Sequence, residues 1–217
     1  GSIRVNPPYL PYSAQQLDEA DIAQVVEVLR GQWLTQGPVV ARFESALCER
    51  FGARHAVAVS SGTAALHLAC RALGVAAGDE VITSPNTFVA SANCVLYCGG
   101  VVKFADIDPE TYNLCPAALQ NTLSAVSNRA LKGIIPVHFA GRPCEMEQIH
   151  ELAEARGLWV LEDACHAPGS RWHDRDGRWH TVGDCSHSDA VCLSFHPVKH
   201  FTTGEGGAIL TNRSDLY

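Results

Sequence analysis

The sequence predicts an α/β protein of three α/β/α layers around a mostly parallel seven-stranded sheet. Short apolar runs alternate with stretches of helical period along most of the chain. Those runs are continuous rather than alternating in and out, which is the pattern of strands covered on both faces. Glycine or proline marks many of the transitions. At 217 residues, 47% hydrophobic and 18% charged, the chain suits one globular domain with a sizeable core, or one and a fraction.

Each element has its own warrant. Asp18 to Gly31 reads as a helix, with Ile22, Val25, Val26 and Leu29 on one face and Gly31 in the C-terminal cap position. Phe43, Leu47 and Phe51, ending at Gly52, mark a second. Residues 55–60 form a strand, followed by a helix over 63–73 with Leu66, Ala69, Cys70 and Leu73 on one face. Residues 80–83 are a strand, 89–98 a helix and 101–107 a strand; the next helix starts at Pro116, an N1-like proline. Residues 133–139 and 158–161 are strands flanking a helix over 145–156 that Gly157 ends. The polar stretch 170–183, with Asp176-Gly177 between Trp172 and Trp179, predicts a hairpin excursion. Residues 190–195 and 207–211 complete the strands. The loop between them is too short for a parallel crossover, so the last strand runs antiparallel to its neighbour or lies elsewhere in the sheet.

Composition removes several function classes. A formal net charge of −7 without a Lys/Arg run disfavours a nucleic-acid or anionic-membrane surface. No apolar stretch approaches the roughly 20 residues that span a bilayer, and Gly1-Ser2-Ile3-Arg4 has no signal-peptide pattern, so a cytoplasmic location is expected. The nine cysteines are scattered, mostly in apolar runs, and odd in number, as expected of reduced, buried thiols. Cys94 and Cys98 lack a second pair at zinc spacing. His166, His173, His180 and His187 fall seven apart but cross several element types, so no metal is expected.

The chemistry gathers where strands end, which is where open α/β sheets bind ligands. Lys199 follows the strand that ends near Ser194 and precedes the Gly204-Glu205-Gly206-Gly207 cluster. A buried amine loses proton affinity and becomes nucleophilic toward an aldehyde. Ser60-Ser61-Gly62-Thr63 joins a strand to a helix; it is either an ordinary N-cap or an anion site suited to phosphate. Phe88 closes Pro85-Asn86-Thr87-Phe88 as either a ring-stacking or a core aromatic. Glu162-Asp163 ends a buried strand, and a buried Asp163 needs a cation, a role that a protonated pyridine nitrogen fills. A hydroxyl-rich cradle, an aromatic, an acid and a lysine, in this order along the chain, describe a site for pyridoxal 5′-phosphate (PLP).

Tyr12, Leu34-Thr35-Gln36-Gly37-Pro38, Ser61-Gly62-Thr63-Ala64-Ala65-Leu66, Pro85-Asn86-Thr87-Phe88-Val89-Ala90, Glu162-Asp163-Ala164-Cys165-His166-Ala167 and Ser194-Phe195-His196-Pro197-Val198-Lys199 resemble the DegT/DnrJ/EryC1/StrS nucleotide-sugar aminotransferases. The resemblance implies an aspartate-aminotransferase-like large domain (PLP fold type I). It implies an N-terminal arm over 1–16, a PLP-binding domain over 17–217, and a C-terminal small domain absent from this chain. By matching motif, Lys199 would hold PLP, Asp163 its ring nitrogen and Phe88 its ring face, with His166 nearby and Gly62, Thr63 and Ser194 around the phosphate. Tyr12, Gln32, Trp33, Leu34, Thr35, Ser61 and Ser194 would face the substrate; Tyr12 and Trp33 read equally well as packing residues.

The implied reaction moves an amino group from glutamate, released as 2-oxoglutarate, to the C4 ketone of a UDP-linked 4-keto-6-deoxy-N-acetylhexosamine in pseudaminic acid biosynthesis, in a homodimer. Three alternatives stand beside it. The chain could be an inactive fragment that binds cofactor or nucleotide sugar, or an aminotransferase for another 4-keto sugar nucleotide, such as GDP-perosamine synthase. A related dehydratase branch replaces the lysine by histidine; Lys199 argues against it, and His200 next door keeps it in view.

Overall fold

The computed structural model describes Pro11, residues 13–127 and residues 129–217. Two helices come first. Helix α1 (Glu19–Arg30) is built by local means: the Asp18 carboxylate accepts from the Ala20 and Asp21 N–H groups, and the Asp21 carboxylate accepts from the Asp18 N–H. None of its residues is fully buried among the described residues. Helix α2 (Pro38–Phe51) begins five residues earlier than Phe43, because Pro38 occupies the first turn, where its missing N–H costs nothing. It ends at Gly52 in the left-handed conformation (φ 84°).

The αβ alternation follows: β1 (His55–Val59), α3 (Gly62–Ala72), β2 (Glu80–Thr83), α4 (Ala90–Tyr97), β3 (Val101–Phe104), α5 (Pro116–Ala125), β4 (Leu131–Ile135), α6 (Met146–Glu154) and β5 (Trp159–Asp163). A two-stranded excursion, β6 (Arg171–His173) and β7 (Trp179–Thr181), precedes β8 (Ala190–Ser194) and β9 (Gly207–Thr211). The main sheet has seven strands in the order β1-β9-β8-β5-β4-β2-β3. All pairs are parallel except those of β9, which lies antiparallel between β1 and β8. Six strands therefore end at one edge, where β9 begins: Val59 and Ser194 both pair with Gly207.

Two strands depart from their expected limits. The ladder of β3 stops at Phe104, and Ile107 bridges to Leu114 instead, across a turn that Asp108 holds by accepting from the Glu110 and Thr111 N–H groups. Strand β4 starts at Leu131 and stops before Pro136, which has no N–H to donate, although its carbonyl still accepts from the Asp163 N–H at 2.9 Å.

Strand alternation divides the core into layers. Val81, Ile135, Leu161 and Cys192 pack with Leu66 and Cys70 of α3 and Cys94 and Val95 of α4. Ile82, Ile134 and Val160 face α5 and α6 on the other side, and Val191, Leu193 and Leu210 face α2. Among the described residues, no helix is long and apolar enough to cross a membrane.

Candidate active site

At the edge where the strands end lies a cavity of about 510 Å³, within the usual small-molecule range, lined by Thr63, Phe88, Asp163, His166, Ser194 and Lys199 among others. Each side chain arrives on a different piece of the fold. Gly62 and Thr63 open α3, Phe88 lies just before α4, Asp163 ends β5 and Ser194 ends β8. Lys199 sits in the turn after β8, where its N–H donates to the His196 carbonyl at 2.9 Å.

Asp163 is 5% exposed, and no cation lies within ion-pair reach of it among the described residues. Its carboxylate instead accepts from Ser91 Oγ at 2.5 Å and from the Cys165 N–H at 3.2 Å. Ser91 is in turn hydrogen-bonded to Thr87 Oγ1 at 2.6 Å. A buried carboxylate with donors but no counter-charge, opening on a cavity, is an incomplete ion pair.

The chain has three lysines. Lys103 pairs with Glu80 at 3.2 Å and Lys132 with Asp79 at 3.7 Å, both away from the cavity. Lys199 alone of the three lines it. His166 is half-buried and edge-on to Phe139. Burial, and then the charge of Lys199, hold its imidazole below the ordinary value of 6.5, outweighing the opposite pull of Asp163, so it is neutral near pH 7.

The start of α3 shows why glycine is required there. A Cβ on Gly62 would sit 2.8 Å from Ser194 Cβ and 3.0 Å from Cys165 Sγ. The missing side chain lets the helix N-terminus close onto β8. Ser61 does cap the helix, its Oγ accepting from the Ala64 N–H at 3.1 Å, yet it also lines the cavity. Both readings of that turn are thus compatible. Phe88 is 66% exposed beside the cavity and is not a core aromatic.

The other expected substrate residues are placed differently. Tyr12 lies outside the described residues. Gln32 and Trp33 line a separate hollow of about 390 Å³ between α1 and α2, while Leu34 and Thr35 are exposed and line neither space. Sequence reasoning missed Thr87, Ser91, Cys165 and Glu205. Thr87 lies in the bend before α4 and Ser91 in its first turn, so helical spacing does not pair them and the sequence carried no clear signal for their contact. Among the described residues, no group of three or more His, Cys, Asp or Glu is placed to hold a metal ion.

An unpaired buried carboxylate, an amine, an exposed aromatic and a helix N-terminus with hydroxyls together suit a planar cationic heterocycle that carries a phosphate and a carbonyl. The DegT/DnrJ/EryC1/StrS aminotransferase family matches residues 15–217. The chain belongs to this family. The spore coat polysaccharide biosynthesis protein SpsC of Bacillus subtilis is 43% identical over 208 residues, covering 96% of this chain and 51% of SpsC. Among solved structures, Helicobacter pylori PseC, an aminotransferase involved in the biosynthesis of pseudoaminic acid, superposes with a TM-score of 0.85 at 37% identity, covering 95% of this chain and 53% of that one. The putative sugar aminotransferase Spr1654 of Streptococcus pneumoniae, in its PLP-form, gives 0.85 at 30% identity, covering 96% and 54%. Spr1654 is also known in a PMP-form. The chain spans about half the length of these DegT/DnrJ/EryC1/StrS relatives. Its mostly parallel seven-stranded α/β sheet matches PLP fold type I aminotransferase structures.

Proposed function

We propose that this chain is the cofactor-binding part of a PLP-dependent aminotransferase that moves an amino group from glutamate to the C4 ketone of a UDP-linked 4-keto-6-deoxy-N-acetylhexosamine. The observation that carries this reading is the convergence of Lys199 and an unpaired, buried Asp163 on one cavity. Lys199 Nζ would attach to the carbonyl of PLP, and Asp163 would accept from its ring N–H. Thr63, Ser194 and the first amides of α3 would hold its phosphate, Phe88 would lie on its ring face, and His166 would sit alongside. When bound, PLP supplies an electron sink for the carbanion formed at the donor carbon.

The chain's own groups do the rest. Ser91, backed by Thr87, keeps Asp163 oriented by donating to it. Lys199 Nζ, freed by the incoming amine, would act as the acid–base group: it would move the donor Cα proton to the cofactor in one half-reaction and a proton from the cofactor to the sugar C4 in the other. The neutral His166 adds no competing charge beside the lysine.

The likeness to PseC supports the pseudaminic acid substrate, while the likeness to SpsC keeps other sugars in the comparison. A homodimer belongs to this reading, since Leu68 on α3 and Leu96 and Tyr97 on α4 offer exposed apolar surface to a second copy. So does a cytoplasmic location, which suits nine unpaired thiols. The test is incubation with PLP, glutamate and a panel of UDP-, GDP- and TDP-linked 4-keto sugars, with products weighed by mass spectrometry. An amino sugar from the UDP substrate supports the full reading, and one from another nucleotide redirects it. Bleaching of the cofactor band by glutamate without transfer to any sugar identifies a binding module with a partial reaction, as suits a chain of half the relatives' length. A colourless protein refutes the reading.

A further inference from the structure

Strand β5 ends in two acids, and only one belongs to the cavity. Glu162 is 4% exposed and does not line the space that Asp163 opens on, because consecutive strand residues point to opposite faces. A second buried carboxylate so close to the first requires its own donors. Glu162 has two: Ser188 Oγ at 2.5 Å on Oε1 and His138 Nε2 at 2.7 Å on Oε2.

His138 is wholly buried three residues past the end of β4. Burial opposes a charge on it, whereas Cys144 and Glu162 favour one. The hydrogen bonding decides the matter: the Cys144 N–H donates to Nδ1 at 3.0 Å, so Nδ1 keeps its lone pair. The ring is neutral imidazole with its proton on Nε2, donated to Glu162. Ser188 donates to the carboxylate and not to the imidazole, so the trio has no base for a serine nucleophile and is not a hydrolytic triad.

The same histidine also holds Asp163 through its backbone. The His138 N–H donates to the Asp163 carbonyl at 3.1 Å, and the Asp163 N–H donates to the Pro136 carbonyl at 2.9 Å. This continues the β4–β5 pairing three residues past the last ladder pair, Ile134–Val160, through the Val137–Asp163 bridge. Ring and backbone of His138 thus grip both acids at the end of β5.

We propose that His138 is a positioning residue for the cofactor: with Ser188 it clamps Glu162 beneath the sheet, and this fixes the direction in which Asp163 meets the PLP ring nitrogen. This rests on the proposed function above. Ionisable groups close to the clamp are Cys144, Cys185 and His187; those close to Asp163 are Cys94, Cys165, Cys192, His166 and Lys199.

The experiment compares wild type with His138→Leu, His138→Gln and Ser188→Ala. Three quantities are read: PLP affinity, the pH midpoint of the bound cofactor's visible band, and the melting temperature without cofactor. Gln can place an amide N–H where Nε2 sits, so His138→Gln keeps the wild-type midpoint and binds PLP within about threefold of wild type. His138→Leu binds at least about tenfold more weakly, the size of effect that supporting hydrogen bonds have on bound groups elsewhere. Its midpoint moves by about one pH unit, a tenfold change in proton affinity. Ser188→Ala falls between them and carries the test if His138→Leu does not fold.

A structural role alone would lower the melting temperature and leave the midpoint of the bound cofactor in place, which overturns the proposal. So does a replaced clamp that binds PLP as wild type does. A wild-type protein that takes up no PLP removes the aminotransferase reading and this proposal with it, whereas a coloured wild type with indifferent variants removes the proposal alone.

Discussion

Replacing Gly207 by alanine puts a methyl carbon 2.5 Å from both the carbonyl carbon and oxygen of Ser61 and 2.7 Å from the Gly62 nitrogen. Ordinary contact begins near 3.4 Å, so the backbone of the turn must retreat by about 0.9 Å. These are main-chain atoms that cannot rotate aside, and the turn they form is the start of α3, the proposed phosphate cradle. Overpacking of this kind costs about 1–3 kcal/mol. A chain of this size loses about 2–4 °C of melting temperature per kcal/mol, so a drop of several degrees is expected. Phosphate hydrogen bonds weaken steeply with distance, so PLP affinity should fall by an order of magnitude or more; at about 1.4 kcal/mol per tenfold, that loss lies within the same range.

Gly206 supplies the control. A Cβ there lies 2.3 Å from Thr203 Oγ1, a hydroxyl that can swing away by giving up its bond to the Glu205 carbonyl. Gly206→Ala should therefore cost no more than about 1 kcal/mol, one net hydrogen bond. The assay is thermal unfolding by circular dichroism together with PLP titration of both variants. Gly207→Ala melting within 1 °C of wild type (roughly 0.3–0.5 kcal/mol) with unchanged affinity refutes the reasoning. So does a Gly206→Ala variant that is damaged as badly.

Two further outcomes are expected. Ser91→Ala removes the O–H donor at 2.5 Å from Asp163 and leaves a buried carboxylate one donor short; a charge-assisted bond of this kind is worth about 1.5–3 kcal/mol, so PLP binding should weaken at least about tenfold, as read by absorbance titration. His187 is held below the ordinary imidazole value of 6.5 by burial and then by His180 and His150, against the opposite pull of Asp184 and Glu162. The unfolded chain therefore binds more protons between that value and the lower folded one. Stability from this group is complete above pH 6.5 and falls as pH drops below it. The acid-side loss of melting temperature should be shallower in His187→Phe than in wild type, and equal slopes would contradict the assignment.

Much of the fold was legible because the local signals agree. The strand-helix alternation gave seven strands in the main sheet and the hairpin around Asp176-Gly177. The short loop after Ser194 left the last strand either antiparallel to its neighbour or elsewhere in the sheet, and β9 is antiparallel to β8 and to β1. Its insertion between β1 and β8 was not legible, since pairing partners are set by the whole sheet and not by the strand's own residues. Helix α1 shows the opposite limit: Ile22, Val25, Val26 and Leu29 were expected on one face, and of these Val26 is half-buried while Ile22, Val25 and Leu29 are exposed, with a capping box fixing the helix start.

The site divides the same way. Lys199, Asp163 and Phe88 announced themselves at strand ends, where chemistry concentrates. Ser91 and the His138–Glu162–Ser188 clamp did not, because each is ordinary in its own segment and acts only where β4, β5 and α4 come together. The Gln32–Thr35 stretch was assigned by motif, and the fold holds it apart from the cavity.

The central claim is tested most directly by reductive trapping: the PLP-loaded protein is treated with borohydride, digested, and its peptides weighed. With three lysines in the chain, the outcomes are few. The account predicts one phosphopyridoxyl adduct, on Lys199 and on neither Lys103 nor Lys132, which disappears in Lys199→Ala. An adduct spread over the surface lysines, or one that survives loss of Lys199, would contradict it.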